Sequence, residues 1–391
     1  SGQISTLVSG TLHLNPRINR AACAQLVMLD SALVCPFLNE TWFRACSDEF
    51  VKAWIETNFK LVTSGEALNK LKKGNFSVEE KVIIASIMNG YNDANAIAFV
   101  LNQLKVTTVT LERMQWIRCL SKQSLVIDSL LLKMENLSPA EQYTLADIAL
   151  QSRGYFKSPQ SLTPQDSVLL FSEDYGVVAL LADYLRSESE QFKGQEWLIS
   201  RLKSQLNRLN GAETIETQIA LVNALNAIDS ATRLSLPVAA MQEFPCYKEW
   251  RRNKKSRLKI ETEDGVFVFR LDGKSCPMSV SNIKLLAKEN YYNGIEFHRV
   301  VPEFVVQAGC KRGDGMSGVN YVINSEFTSR EFIPYSIGMA SAGRNTEGAQ
   351  FFITTNYTPH LNGRYTQFGE LVHGKKKIKN IEIGTRILKV R

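Results

Sequence analysis

The spacing of apolar residues divides the chain into two parts. Up to residue 245 they recur at three- and four-residue spacing, as at Val178, Leu181 and Leu185, which predicts amphipathic helices. Further along, residues 257–262 and 385–390 alternate polar and apolar positions, which predicts strands. The sequence therefore predicts an all-α part followed by a β-rich part.

Capping residues mark several predicted helix starts. Residues 77–80 and 138–141 have the Ser-x-x-Glu pattern of a capping box, and the second adds Pro139 at the first helical position. Residues 15–16 and 163–166 look like two further starts. We predict about ten to twelve helices, most of them joined by short polar turns.

Short consecutive helices with short connections favour antiparallel neighbours stacked in order, as in an α-solenoid. No fixed repeat period is visible, and the residues resemble degenerate HEAT-like repeats only weakly. A compact irregular bundle is the alternative. Solenoids present concave surfaces to proteins, so we expect an unidentified protein partner on this part.

The β-rich part begins with a predicted hairpin, in which Asp264-Gly265 forms the two-residue turn between residues 257–262 and 266–269. A helix is predicted over 279–289. The last strand, at 385–390, is placed to pair with the opening strand and close a barrel.

Composition and charge change at the same place. Residues 1–245 hold 9 of the 23 glycines, and the remaining residues hold 14. From Lys248 onward, 24 Lys+Arg against 14 Asp+Glu give +10, which leaves −3 for the first 247 residues of a chain with net charge +7. We predict a helical domain at 1–245, a basic linker at 246–256 and a third segment at 257–391.

Several classes of site are disfavoured. The number of cysteines is odd, there is no C-x-x-C pair, and no histidine stands at ligand spacing from a cysteine, so we expect no metal and no cofactor; the cysteines are Cys23, Cys35, Cys46, Cys119, Cys246, Cys276 and Cys310. The basic runs at 251–257 and 375–379 are interpreted as a solvated linker and a solvated helix face. They lack interleaved aromatic residues, which argues against nucleic acid.

No run of 18 apolar residues is present, so no membrane span is predicted. The chain begins Ser1-Gly2-Gln3 without an initiator Met, and we expect an N-terminal segment to have been removed or replaced. Two cellular locations are left as alternatives, the bacterial cell envelope or periplasm and the cytoplasm.

Three ordered strings carry a family resemblance. They are Phe-His-Arg-Val-Val-Pro-Glu-Phe at 297–304, Met-Ala-Ser-Ala-Gly at 339–343 running on to Gln-Phe-Phe-Ile-Thr at 350–354, and His-Leu-Asn-Gly-Arg-Tyr-Thr-Gln-Phe-Gly at 360–369. Residues 257–391 thereby resemble the cyclophilin family of peptidyl-prolyl cis/trans isomerases. The resemblance implies a closed β-barrel with flanking helices, and proline-containing polypeptides as substrates. A bacterial architecture with HEAT-like helices before a cyclophilin domain looks similar to the whole chain.

The reaction that the family catalyses, rotation about an X–Pro amide, determines which chemical groups the site requires. Rotation about an X–Pro amide has a barrier of about 18–20 kcal/mol, because the nitrogen lone pair is delocalised into the carbonyl. A fixed donor stabilises the twisted form more than the planar one. By resemblance Arg299 is the catalytic cation and Gln307 holds the peptide carbonyl. The alternative for Arg299 is an ordinary surface ion pair.

The resemblance also assigns the substrate pocket. The residues it implies are Phe304, Val305, Phe352 and Leu361 for the proline ring, Ala340, Ser341 and Ala342 for the substrate backbone, and Gln350, His360 and Tyr365 for the remaining wall. Phe297, Phe351 and Phe368 fit either the barrel core or the pocket floor. His298 alternates to the other face of its strand and is interpreted as a packing or hydrogen-bonding residue, not a base.

The chain departs from the familiar eukaryotic pattern at four positions. His360 replaces a Trp, Tyr365 a His, Ser341 an Asn and Val305 a Met. Arg299 and the proline-pocket residues are retained, so we expect catalysis. The lost Trp removes the indole that cyclosporin uses, so we expect weak inhibitor binding.

Two functions compete after this reading. The first is an active isomerase that assists protein folding and whose helical domain recruits clients. The second is a scaffold that binds proline-containing peptides with little or no turnover. The retained Arg299 favours the first, because binding alone does not require a cation at that position.

Overall fold

The computed structural model describes residues 81, 82, 85, 94–152, 162–229, 231, 233–238, 240, 241, 256–301 and 303–391 of the 391-residue chain. The described residues fall into two compact units, one within Ser1–Thr107 and Gln115–Gln123, the other formed by Thr108–Met114 with Ser124–Arg391. The helix starts predicted at 15–16 and 77–80, and all but the last residue of the basic linker, lie outside the described residues.

The described part of the first unit includes α1 (Ala94–Val106). Its apolar face buries Ala96, Val100 and Leu104 at the helical spacing that the sequence shows. The ring of Phe99 meets Trp116 edge to face, with centroids 5.9 Å apart. Trp116 belongs to α2 (Thr110–Cys119).

Between Ser124 and Ile228, the described residues of the second unit form the α-helices α3 (Ser124–Leu131), α4 (Pro139–Ser152), α5 (Pro164–Leu170), α6 (Tyr175–Ser187), α7 (Ser189–Phe192), α8 (Glu196–Arg208) and α9 (Ile215–Ile228). Two predicted starts are confirmed. Thr163 caps α5 with both halves of a capping box, and the Ser138 N–H donates to Glu141 ahead of α4.

The predicted apolar stripe of α6 is confirmed, because Val178, Leu181 and Leu185 are all buried. This stripe packs against α9, which buries Leu221 and Leu225 on its own inner face. The described part of the N-terminal region is therefore predominantly helical, as predicted. Among the helices within the described residues, none combines the length and apolar character that crossing a membrane requires.

The C-terminal part is one curled sheet of eight strands, β1 (Ser256–Thr262), β2 (Gly265–Leu271), β3 (Arg299–Val301), β4 (Val305–Ala308), β5 (Ser336–Met339), β6 (Phe351–Thr354), β7 (Gln367–His373) and β8 (Ile387–Val390). Every neighbouring pair is antiparallel, in the order β3-β4-β6-β5-β7-β2-β1-β8. The predicted pairing of the last strand with the opening strand is confirmed. Backbone hydrogen bonds also join residues 294–297 to 384–387, beside the two edge strands.

The hairpin between β1 and β2 is confirmed, but its turn lies one residue earlier than predicted. Thr262 is opposite Gly265, so Glu263 and Asp264 are the turn residues. The Thr262 hydroxyl accepts from both following N–H groups, of Asp264 at 3.2 Å and Gly265 at 3.2 Å, and this bonding fixes the turn. The helix predicted over 279–289 is α10 (Pro277–Lys288), which has Pro at its first position.

The core of the sheet is built from residues within 258–390 only. Phe297, Phe351 and Phe368 are fully buried in it, which assigns them to the core and not to the pocket floor. The lysines of 375–379 are exposed around a buried Ile378 on a short 3₁₀ helix, as the solvated-face interpretation expected. A separate apolar cluster of the same part of the chain lies outside this core and forms the site described below.

Candidate active site

The site starts from a row of residues that lie opposite one another on neighbouring strands. Arg299 on β3 faces Gln307 on β4, Gln307 faces Phe352 on β6, and Phe352 faces Gly338 on β5. Opposite residues in a sheet point to the same face, with strands about 4.8 Å apart. The topology therefore places the cation, the amide and an aromatic ring side by side.

Arg299 is exposed and has no ion-pair partner among the described residues. The surface ion pair that the alternative expects is not seen within that part of the chain. Its guanidinium carbon lies 5.7 Å from the centre of the Phe304 ring. Phe304 reaches this position because Glu303, in the turn between β3 and β4, has a left-handed φ of 56°.

The predicted proline-pocket residues meet in one apolar cluster. Val305, Phe352 and Leu361 are buried in it, and Phe304, Ala340 and Tyr365 pack against it, together with Phe332. The Phe352 ring meets Tyr365 edge to face at 5.7 Å. His360, at the mouth, stacks on Phe304 with ring centroids 5.2 Å apart.

A chain of amides runs beside this cluster. The side-chain N–H of Gln307 donates to the side-chain oxygen of Gln350 at 3.0 Å. Gln350 in turn donates to the backbone carbonyls of Gly315 at 2.7 Å and Ser317 at 3.0 Å. Gln350 is thus held on both sides, which fixes the orientation of the Gln307 amide next to Arg299.

This geometry was compared with known proteins. Residues 257–390 match the family model described as "Cyclophilin type peptidyl-prolyl cis-trans isomerase/CLD". A peptidyl-prolyl cis-trans isomerase of Synechococcus elongatus is 37% identical over 134 residues, which are 34% of this chain and 92% of the relative. The chain belongs to the cyclophilin family of peptidyl-prolyl cis-trans isomerases.

Two further matches cover the same region. Peptidyl-prolyl cis-trans isomerase B of Bacillus subtilis is 40% identical over 132 residues, 33% of this chain and 92% of the relative. A solved cyclophilin-type isomerase of Cryptosporidium parvum is 28% identical, with a TM-score of 0.34, and covers 35% of this chain and 96% of its own. These matches each cover about a third of the chain, in its cyclophilin domain.

The cyclophilin domain places Ser341 and Ala342 differently from the other predicted residues. They follow Ala340 out of the apolar cluster, and the Ala342 N–H donates to the Thr346 hydroxyl at 2.9 Å. The segment from Ala340 to Ala342 is anchored at its first residue, where the Ala340 N–H donates to the Gln350 carbonyl at 3.0 Å. Ser341 and Ala342 therefore lie beside the apolar cluster, not within it.

His298 lies behind the cyclophilin site. It is buried, and neither ring nitrogen has a hydrogen-bond partner among the described residues. Burial lowers the pKa of its imidazole to about 4, against a smaller opposing effect of Asp314. The ring is therefore a neutral packing residue at physiological pH, and its predicted hydrogen-bonding role is not seen.

Two residues of the cyclophilin pocket were missed by sequence reasoning. Phe332 stacks on Phe352 with centroids 5.4 Å apart. Gly338 makes room for both rings, since a Cβ there would come within 2.7 Å of each. Phe332 follows the charged Arg330-Glu331, as Phe304 follows Glu303, and a ring next to charged residues in a loop is a signal that could have found it. Gly338 has no signal without the fold.

Within the described residues, no group of three or more His, Cys, Asp or Glu side chains could hold a metal ion. The cyclophilin site consists of one guanidinium, two amides and an apolar slot. Such a set of groups can bind and polarise a peptide bond through hydrogen bonds and charge alone.

Proposed function

We propose that Arg299 is the catalytic cation of a proline isomerase that assists protein folding. A guanidinium stays charged and offers several donors in a rigid plane. In the twisted amide the lone pair returns to nitrogen, so a donor directed there stabilises the transition state more than either planar isomer. The observation that carries the proposal is the guanidinium of Arg299, which has no ion-pair partner among the described residues and lies 5.7 Å from the centre of the Phe304 ring.

The pocket residues have complementary roles in this proposal. Phe352 and Leu361 form the floor that receives the proline ring, with Phe304 as its wall beside the cation. Gln307 binds the peptide carbonyl, and Gln350 holds it in place. Ala340, Ser341 and Ala342 form the lip along which the substrate backbone lies.

The deciding experiment replaces Arg299 with Ala or Lys and measures cis-to-trans conversion of a proline peptide in a chymotrypsin-coupled assay. Removing one preorganised donor costs roughly 2–4 kcal/mol of transition-state stabilisation, so kcat/KM should fall about 30- to 1000-fold, with little change in peptide affinity. The Lys variant should recover only part of the loss, since an ammonium lacks the planar fork.

Arg257 supplies a matched control, because it is an exposed strand arginine on β1, outside the site. Arg257→Ala should leave kcat/KM unchanged. Near-wild-type turnover in Arg299→Ala would refute the assignment. Peptide binding by the unmodified chain without turnover would support the alternative, a proline-peptide scaffold.

We further propose that residues 1–245 are a HEAT-like repeat domain that binds clients or a protein partner, joined by the linker at 246–256 to a closed cyclophilin barrel at 257–391 in a bacterial architecture. The described helices α3 to α9, with mostly short connections between them, support the stacking. The proposal predicts faster refolding of a proline-limited protein by the full chain than by Arg299→Ala.

A further inference from the structure

A pocket lies between the helices and the sheet of the second unit. Its volume is about 30 Å³, which is room for roughly two water molecules. On the helical side it is lined by Glu213, Ile215 and Glu216, and on the sheet side by Val319, Ala340 and Gln350, among others. Sequence reasoning assigned no role to either glutamate.

The two walls of the pocket are held together by apolar and backbone contacts. Ala212 and Ile215, at the start of α9, form one buried cluster with Val322. The Val322 N–H also donates to the Ala240 carbonyl at 3.0 Å. The helical wall is therefore part of the same packed unit as the sheet, and the pocket is a fixed feature of it.

The pocket adjoins the predicted peptide site. Ala340 and Gln350 line it, and the same two residues flank the proline cluster. Gln350 precedes Phe352 by two residues, a distance of about 7 Å along an extended chain. A substrate residue spans about 3.5 Å, so the side chain two residues away from the proline reaches the pocket.

The charge on the pocket's described lining comes from the helical wall. Within that lining the charged residues are Glu213 and Glu216, and neither has a hydrogen-bond or ion-pair partner among the described residues. Burial, and then the nearby charge of Asp314, raise the pKa of Glu216 to about 7. A cation in the pocket would offset the cost of burying a charged Glu216, and the carboxylates of Glu213 and Glu216 could both accept hydrogen bonds from it.

We propose that Glu213 and Glu216 form the acidic wall of a subsite that selects a lysine side chain two residues from the substrate proline. An ammonium group is about the size of one water and fits the pocket, whereas a guanidinium is larger. This inference rests on the proposed function, because it needs a proline peptide bound along Ala340. It assigns to the helical region a direct part in substrate choice.

The test measures kcat/KM of the full chain by protease-free NMR exchange, on proline peptides with Lys, Arg, Ala or Glu two residues before or two residues after the proline. One of the two Lys positions should be favoured over Ala about tenfold, the effect of one hydrogen-bonded charge pair. In Glu213→Gln/Glu216→Gln that ratio should fall to about one. Glu213→Lys, at an exposed position, should shift the preference toward the Glu peptide.

Glu196→Gln is the matched control, since Glu196 is an exposed acid in the first turn of α8 and lies outside the pocket. It should keep the lysine preference. Equal turnover of the Lys and Ala peptides at both positions would overturn the inference and leave the proposed function intact. A preference that survives in the double Gln variant would overturn the assignment to these carboxylates. Absence of turnover on every peptide would overturn the proposed function, and the inference with it.

Discussion

Removing Arg312 should destabilise the second unit strongly. The guanidinium of Arg312 lies between Asp174, at 2.9 Å, and Asp314, at 2.6 Å, and it also covers the Tyr175 ring at 4.1 Å. The side chains of the three charged residues are 13%, 11% and 0% exposed, so solvent screens the charges little. Burial alone would lower the pKa of Arg312, but the bonds and charges of Asp174 and Asp314 more than offset it and raise the pKa.

The size of the loss follows from what each substitution leaves behind. Arg312→Met leaves two carboxylates facing each other in a low-dielectric site, which costs about 3–5 kcal/mol of unfolding free energy. Asp174→Asn keeps the cap of α6, because the amide oxygen can still accept from the Val177 N–H. In that variant Arg312 still pairs with Asp314, so the unfolding free energy should fall by only about 1–2 kcal/mol.

Denaturant unfolding of the two single variants and the double variant, followed by far-UV circular dichroism, measures the coupling. The double variant should lose at least about 1 kcal/mol less than the sum of the single losses, because each change removes the same pair. Arg186→Met is the control, since Arg186 pairs with Asp183 at 3.2 Å where both side chains are more than half exposed. Its loss should stay below about 0.5 kcal/mol. Additive losses within about 0.5 kcal/mol would refute the reasoning.

Three further predictions concern separate properties. Residues 256–391 expressed alone should give a folded, soluble domain by circular dichroism, because the core of the sheet contains no described residue that precedes β1; insoluble protein would place the boundary elsewhere. His360→Trp should raise the affinity for cyclosporin up to about thirtyfold, with little change in kcat/KM, since the indole restores a stacking edge and a donor beside Phe304. Calorimetric titration of both proteins measures this, and tight binding by the unmodified chain would contradict it. Because burial lowers the pKa of His298 to about 4, the unfolded chain binds a proton below about pH 6.5 that the folded chain refuses. The unfolding free energy should therefore drop by up to about 3 kcal/mol between pH 6.5 and 4, and His298→Leu should flatten that slope.

Local pattern was enough to predict the elements of this chain. The alternation at 257–262, the Pro at the start of α10 and the Thr163 cap act within a few residues, so they can be found without a fold. The hairpin turn was predicted one residue too late, because the preference for Asp-Gly as the two turn residues takes no account of the Thr262 hydroxyl. The hydrogen bonds of that hydroxyl select the turn that is observed.

The site was predictable where motif residues share a strand or a turn, and not where the pocket depends on distant packing. Arg299 and Gln307 meet because β3 and β4 form a hairpin with a short turn. Phe332 and Gly338 enter the site only through the pairing of β5 with β6, which no local pattern specifies. Glu213, in the short 3₁₀ helix before α9, precedes Ala340 on the opposite wall of its pocket by more than a hundred residues, so no local pattern could join the two.

One loop of the sheet serves both the helices and the catalytic face. Residues 310–318 carry Arg312, which binds the cap of α6, and the carbonyls of Gly315 and Ser317, which hold Gln350. Gln350 positions Gln307, the neighbour of Arg299 across the sheet. Packing of the helices against this loop therefore constrains the same amides that, in the proposed function, orient the substrate carbonyl. Because buried, charge-assisted bonds tolerate little displacement, the helical region stabilises the geometry of the site as well as lining its second pocket.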